Sequence, residues 1–172
     1  MRKRKSLLAW LVPVCMPLAL FSEASMADED PEVTRTRQHV EMLDTLYKTA
    51  IVLITDKYVT DPSKFSGASA AKALFDTMRD NGYHEVRLVG LTDVLIHPEM
   101  NRPKDEFEEQ AKEKLLGGES THEEVVTIEG KRYLRKATAV PVVLERCVMC
   151  HANFKGNDGA IGTLVYKVPL IE

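Results

Sequence analysis

Five residues near the end of the chain, Cys147-Val148-Met149-Cys150-His151, constrain it more than any other stretch. Cysteines three apart sit on one face of a helical turn, and the imidazole that follows is left aimed at whatever the thiols hold. This spacing suits covalent haem attachment: two thiols add across the two vinyl groups, and the next His ligates the iron. Cys147 and Cys150 are therefore the expected thioether positions of one covalently bound haem c, with His151 as its proximal iron ligand.

Other uses of the same residues fit less well. A thioredoxin-like redox pair would follow a strand, and the strand-like Val140–Leu144 does precede Cys147. In such pairs, however, a His usually lies between the cysteines rather than after them. A zinc site built from Cys147, Cys150 and His151 needs a fourth ligand, and no paired motif elsewhere offers one. A plain disulfide between the two cysteines is the remaining alternative.

The beginning of the chain has the pattern of an export signal. Arg2, Lys3, Arg4 and Lys5 precede an apolar run from Leu7 to Phe21, and Ser25-Met26-Ala27 supplies small residues for cleavage after Ala27. The run is short and interrupted by Pro13 and Pro17, which argues against a membrane span. Cys15 lies within it and leaves with it. Of the 172 residues, 145 then remain, enough for one domain. The lost segment carries four basic residues and one acidic one, so the net charge moves from −3 to −6. That acidity argues against nucleic acid as a partner. Export also agrees with the motif, because c-type haem is attached outside the bacterial cytoplasm. The expected location is periplasmic, with no membrane span after cleavage.

Along the remaining chain, residues 28–37 are polar and read as a flexible lead, with a single domain over 38–172. Val40, Leu43, Tyr47, Ala50 and Ile54 recur every three or four residues, giving an amphipathic helix of about six turns that ends at Thr60-Asp61-Pro62-Ser63. A second helix starts near Ser69, carries Ala71, Leu74, Phe75 and Met78 on one face, and stops at Asn81-Gly82. Short β-like runs follow over His84–Val89 and Thr92–Ile96, then a loop bracketed by Pro98 and Pro103. A third helix enters near Pro103 or Lys104, buries Phe107, Ala111 and Leu115, and ends at Gly117-Gly118. From Glu123 the period becomes two. Strands over Glu123–Ile128 and Lys131–Ala139 flank a Glu129-Gly130 turn, and Ile161–Leu170 forms a last strand after the turn at Asn157-Asp158-Gly159. The expected fold class is α+β, an antiparallel sheet with helices packed against it.

Two haem families share only parts of this pattern. Four-helix proteins of the cytochrome c-prime type end on a similar motif but contain no sheet, and here 21 residues including a strand follow His151. Small class I cytochromes c carry their motif near the N-terminus and a Met ligand downstream, and no Met follows Met149. The chain resembles instead the exported c-type haem family with a PAS-like domain, long filed as a domain of unknown function. The resemblance spans about Leu43 to Pro169. It rests on the long first helix, Leu74-Phe75-Asp76-Thr77-Met78 before Gly82-Tyr83-His84, and Asn101-Arg102-Pro103 followed by Phe107-Glu108. Tyr133-Leu134-Arg135-Lys136-Ala137-Thr138, Pro141-Val142-Val143 leading into the haem motif, and Ile161-Gly162 complete it. It implies a PAS-like antiparallel sheet with flanking helices and a long N-terminal helix, in the stand-alone form rather than as the sensory part of a kinase or chemoreceptor.

Some relatives draw the distal iron ligand from the first helix, including by a Cys. Here that helix offers only His39 and Met42. His84, His122 and Met100 are further candidates. His97 is the first choice, because it stands in a Pro-bracketed loop between strand and helix. Arg132, Arg135, Lys136 and Arg146 are candidates to pair with haem propionates. No acid/base constellation or phosphate loop accompanies the motif. The expected function is redox or gas sensing, or single-electron transfer, by a mono-haem protein that is not an enzyme. Its partners would be a redox protein or a small gaseous ligand. The alternative is a thiol oxidoreductase or haem peroxidase.

Overall fold

The computed structural model describes residues 29–58, 67–95, 97–150 and 152–172, with the backbone alone at 146, 149 and 150. The expected signal peptide and its cleavage point lie outside these residues, as do the turn at 60–63 and Ile96. The described part is α+β, with a four-stranded antiparallel sheet between helical layers. None of its helices is long and apolar enough to cross a membrane.

Helix α1 runs from Pro31 to Tyr58, a full 28 residues. Part of the segment expected to be a flexible lead is therefore its first two turns. The Asp30 carboxylate accepts from the Glu32 amide at 2.9 Å, Pro31 opens the helix where its missing N–H costs nothing, and Glu32 favours the positive helix end. Val33 and Thr36 are buried. Thr36 Oγ1 accepts from the Ile171 amide at 2.9 Å, Arg35 Nε donates to the Ile171 carbonyl at 3.2 Å, and Arg132 pairs with both Asp30 and Glu32. All these partners lie about a hundred residues or more away in sequence, which is why a polar local composition misleads.

Helix α2 spans Gly67–Asp80 and stops as expected, with Asn81 Nδ2 donating to the Thr77 carbonyl and Gly82 at φ 74°. Strand β1 follows over Glu85–Gly90. The second β-like run does not form a strand among its described residues, 92–95. Gly90 explains this: a side chain there would meet Leu95 Cδ2 at 2.2 Å, so the segment folds back over the end of β1. The loop bracketed by Pro98 and Pro103 contains a one-turn helix, α3, over Pro98–Asn101. Helix α4, Glu106–Leu116, is capped by Asp105, whose side chain accepts from the Glu108 amide at 3.0 Å.

Strands β2, Thr121–Ile128, and β3, Lys131–Pro141, form the expected hairpin. Both turn residues have positive φ, 51° at Glu129 and 78° at Gly130, matching the right-handed strand twist. Glycine takes that conformation freely, but glutamate does not. Glu129→Asn should therefore raise stability by roughly 0.5 kcal/mol. A urea midpoint that stays put or falls would contradict it.

Strand β4, Ala160–Pro169, lies between β1 and β3, so the sheet order is β1-β4-β3-β2. Its two faces meet different layers. Leu164, Tyr166 and Val168 join Val40, Leu43, Tyr47, Phe75 and Leu134 under α1 and α2. Val165 joins Val89, Phe107, Ala111, Leu115 and Ala137 under α4. A central strand covered on both sides is the most buried element of the fold.

Candidate functional site

The C-x-x-C-H residues follow the end of β3, where the register shifts between Val140 and Pro141. Pro141 has no N–H to continue the ladder, so the strand stops there short of Leu144. Helix α5, Glu145–Cys150, then carries Cys147 and Cys150 three residues apart. The Cys147 amide donates to the Leu144 carbonyl at 3.0 Å, and its thiol is free and half-buried. Helix α5 packs against α1 and against the 3-10 turn Ala152–Phe154, whose Phe154 is buried. The side chain of Cys150 and all of His151 lie outside the described residues.

The partner of α5 has an unusual feature. Helix α1 passes the end of β3 at Lys48, whose Nζ donates to the Ala139 carbonyl at 2.8 Å. Its remaining turns carry Ile51-Val52-Leu53-Ile54, the most apolar run of the helix. Yet every buried residue of α1 lies at or before Tyr47. Ile51, Val52 and Ile54 are only partly covered, and Leu53 is exposed. Among the described residues this apolar stretch of α1 is only partly covered, and a haem held by the cysteine-bearing α5, which packs on α1, would have apolar surface available there.

The distal candidates separate by position. His84 immediately precedes Glu85, which pairs with Lys167 of β4, whereas Pro141 pairs with Ala160. Seven residues of strand separate those levels, about 23 Å at 3.3 Å per residue. His84 and His39 line one cleft of about 350 Å³ at that far end, together with Met78 and Tyr83. Neither belongs to the end of the sheet that carries α5. His122 sits on edge strand β2, stacked on Phe107 at 5.0 Å with Lys114 Nζ 3.0 Å from its Nδ1. His97 follows β1, whose last residue Gly90 pairs with Gly162, so its segment leaves the same end of the sheet as α5. Its side chain is 69% exposed, with Glu99 Oε1 3.8 Å from Nδ1. Among the described residues, no three or more His, Cys, Asp or Glu side chains gather as a metal-binding group.

Three of the basic residues considered for propionates already have carboxylate partners. Arg132 holds Asp30 and Glu32, Arg135 holds Asp105 and Glu124 while lying 4.3 Å over the Phe107 ring, and Lys136 holds Glu41 and Glu123. They fasten helices to the sheet. The side chain of Arg146 lies outside the described residues.

A family model matches residues 22–163, nearly the whole described fold. The chain belongs to the Tll0287-like family. This is a haem-binding, PAS-like family. No curated protein matches the chain. In this Tll0287-like chain the sequence spacing does not reveal the polar network inside the α1–sheet layer, in which Tyr47 takes part as well as in the core stripe. Nothing in the spacing marks Tyr47, His84, Tyr166 and Asp44 as neighbours.

Two histidines set a pH response. Burial lowers the pKa of His84, reinforced by the charge of His39. Burial also lowers that of His122, reinforced by Lys114 and partly offset by Glu124, Glu119 and Glu123. Both groups bind protons more weakly folded than unfolded, so their stabilisation is complete above the unfolded value near pH 6.5 and drains as pH falls toward the folded values. His84 contributes a slope of at most about 1.4 kcal/mol per pH unit. The urea midpoint should fall between pH 7 and pH 5, and His84→Gln should flatten that fall. An equal slope in the variant would remove His84 from the account.

Proposed function

We propose that Cys147 and Cys150 hold one haem c through thioether bonds and that His151 is its proximal iron ligand. The chain would act after export to the periplasm, sensing redox state or a small gas, or passing single electrons to a partner protein. It would do this without turning over a substrate. The observation that carries the reading is the packing of the cysteine-bearing α5 on α1, whose partly covered apolar run 51–54 follows Lys48 where that residue meets the end of β3. Membership of a haem-binding family supports it. When bound, the iron supplies reversible one-electron chemistry and a site for diatomic ligands. The chain's own part is to anchor the macrocycle at two points, present one imidazole, and exclude water with Ile51, Val52 and Ile54. His97 is the proposed distal ligand, which requires its exposed ring to turn away from Glu99.

The test is a haem stain on a denaturing gel, followed by reduced-minus-oxidised spectra with and without CO. Protein comes from a periplasmic preparation with c-type maturation in place. Stain that survives denaturation, with a c-type difference spectrum, is the expected result. A CO-induced shift would identify a sensor, and spectra indifferent to CO a fully ligated electron carrier. Unstained protein with two titratable thiols would overturn the reading in favour of thiol oxidoreductase chemistry.

A further inference from the structure

Two tyrosines inside the α1–sheet layer each have a base on the hydroxyl. Tyr47 Oη lies 2.8 Å from His84 Nε2, and both side chains are buried. Tyr166, without solvent exposure, donates to Asp44 Oδ1 at 3.0 Å. The same oxygen accepts from Thr138 Oγ1 at 2.6 Å, and Asp44 Oδ2 pairs with Lys48 Nζ at 2.9 Å. The two rings stack with centroids 6.4 Å apart and 26° between their planes, and Phe75 meets Tyr47 edge-on at 5.2 Å.

A buried phenol needs only some hydrogen-bond partner, and a backbone carbonyl would suffice. Here both acceptors are groups that can keep a proton. That difference matters for oxidation. A phenol that loses an electron becomes a strong acid, so the electron leaves more easily when a base stands within hydrogen-bond reach of the proton. Burial favours the neutral imidazole of His84, which with its proton on Nδ1 presents Nε2 as the acceptor.

We propose that Tyr47 and Tyr166 form a redox-active pair that stores one oxidising equivalent taken from a one-electron oxidant of the high-potential metal-complex class. Tyr47 gives one electron to the oxidant, and its hydroxyl proton moves to His84 Nε2, leaving a neutral phenoxyl and an imidazolium. Through the ring stack the phenoxyl takes an electron from Tyr166 and its own proton back from His84, while the Tyr166 proton moves to Asp44 Oδ1. One electron from a one-electron donor of the ferrocyanide class, with the proton returned from Asp44 Oδ1 to the Tyr166 oxygen, restores the resting pair. The other tyrosines lack this arrangement. Tyr58 and Tyr83 are exposed, so their proton would go to water. The Tyr133 ring has the Lys131 and Lys167 ammonium groups 5.8 and 5.6 Å from its centroid, which disfavours a hole there.

The test uses the full chain as purified, oxidised beforehand with ferricyanide so that any haem iron is already ferric. Trp10, the single indole of the sequence, lies in the expected signal segment, and chain that retains this segment carries Trp10→Phe. Flash-generated tris(bipyridyl)ruthenium(III) then removes one electron, and the phenoxyl is read by electron paramagnetic resonance and transient absorbance. Tyr58→Phe, Tyr83→Phe and Tyr133→Phe combined change no core residue and should keep the wild-type phenoxyl yield. Tyr47→Phe with Tyr166→Phe should abolish it. His84→Gln keeps a hydrogen-bonding group but not the base, and should slow phenoxyl formation. Loss of the signal in the triple variant overturns the proposal. So does the absence of any phenoxyl in the parent, which would leave the pair as packing alone. If the double variant does not fold, the triple variant decides by itself.

Discussion

Arg87→Met should lower the stability of the domain by about 2 kcal/mol, below the range for a fully buried ion pair because only the Glu108 end is buried while Arg87 is 25% exposed. Arg87 on β1 reaches across to Glu108 of α4, whose side chain is only 4% exposed. Glu108 Oε2 accepts from the guanidinium and from the Lys104 amide at 2.8 Å. The other end of the guanidinium donates to the carbonyls of Met100 at 2.6 Å and Arg102 at 3.1 Å. One side chain therefore fixes α3, the chain leading into α4, and α4 itself. Methionine can fill part of the space but leaves a buried carboxylate with a single N–H donor. Removing the charge as well, by Arg87→Met with Glu108→Leu, should recover much of the loss, because the cost comes from the stranded charge. Urea unfolding at constant slope measures both variants. A loss below about 1 kcal/mol in the single variant would mean that water reaches Glu108 and solvates it.

The second large effect concerns the cofactor. Cys147→Ala with Cys150→Ala should abolish haem retention on a denaturing gel, while either single variant should keep one thioether and part of the stain. The loss should also be felt in α1. With the macrocycle gone, the partly covered run Ile51–Ile54 and the turn after it have fewer apolar contacts, so their amides should exchange faster with solvent than in the haem-bearing parent. The first turns of α1, held by Arg132 and the carboxyl-terminal residues, should exchange as before. A double variant that still carries haem through denaturation would remove both cysteines from the attachment chemistry. Unchanged exchange over 51–58 would remove that end of α1 from the haem site.

Several elements depend on signals contained within a few residues, and these were legible from the chain alone. Helix α4 shows its buried face at Phe107, Ala111 and Leu115 and its stop at Gly117 within one short stretch, although it starts at Glu106 behind the Asp105 cap rather than at Pro103 or Lys104. The Glu129-Gly130 hairpin and the spacing of Cys147 and Cys150 on one helix are local in the same sense. The periods of helix and strand are properties of neighbouring residues, so they survive in the sequence. What needed the tertiary structure is what depends on distant partners. The polar start of α1 is helical because Val33 and Thr36 meet the end of the chain, and residues 92–95 leave the sheet because Leu95 closes over Gly90. Only strand order shows that His84 stands a sheet's length from α5 while His97 leaves the same end. Only packing brings the Tyr47 hydroxyl to His84, 37 residues away, and that of Tyr166 to Asp44, 122 residues away. Residue type and spacing decide which groups a segment can offer, and burial between segments decides which of those groups meet.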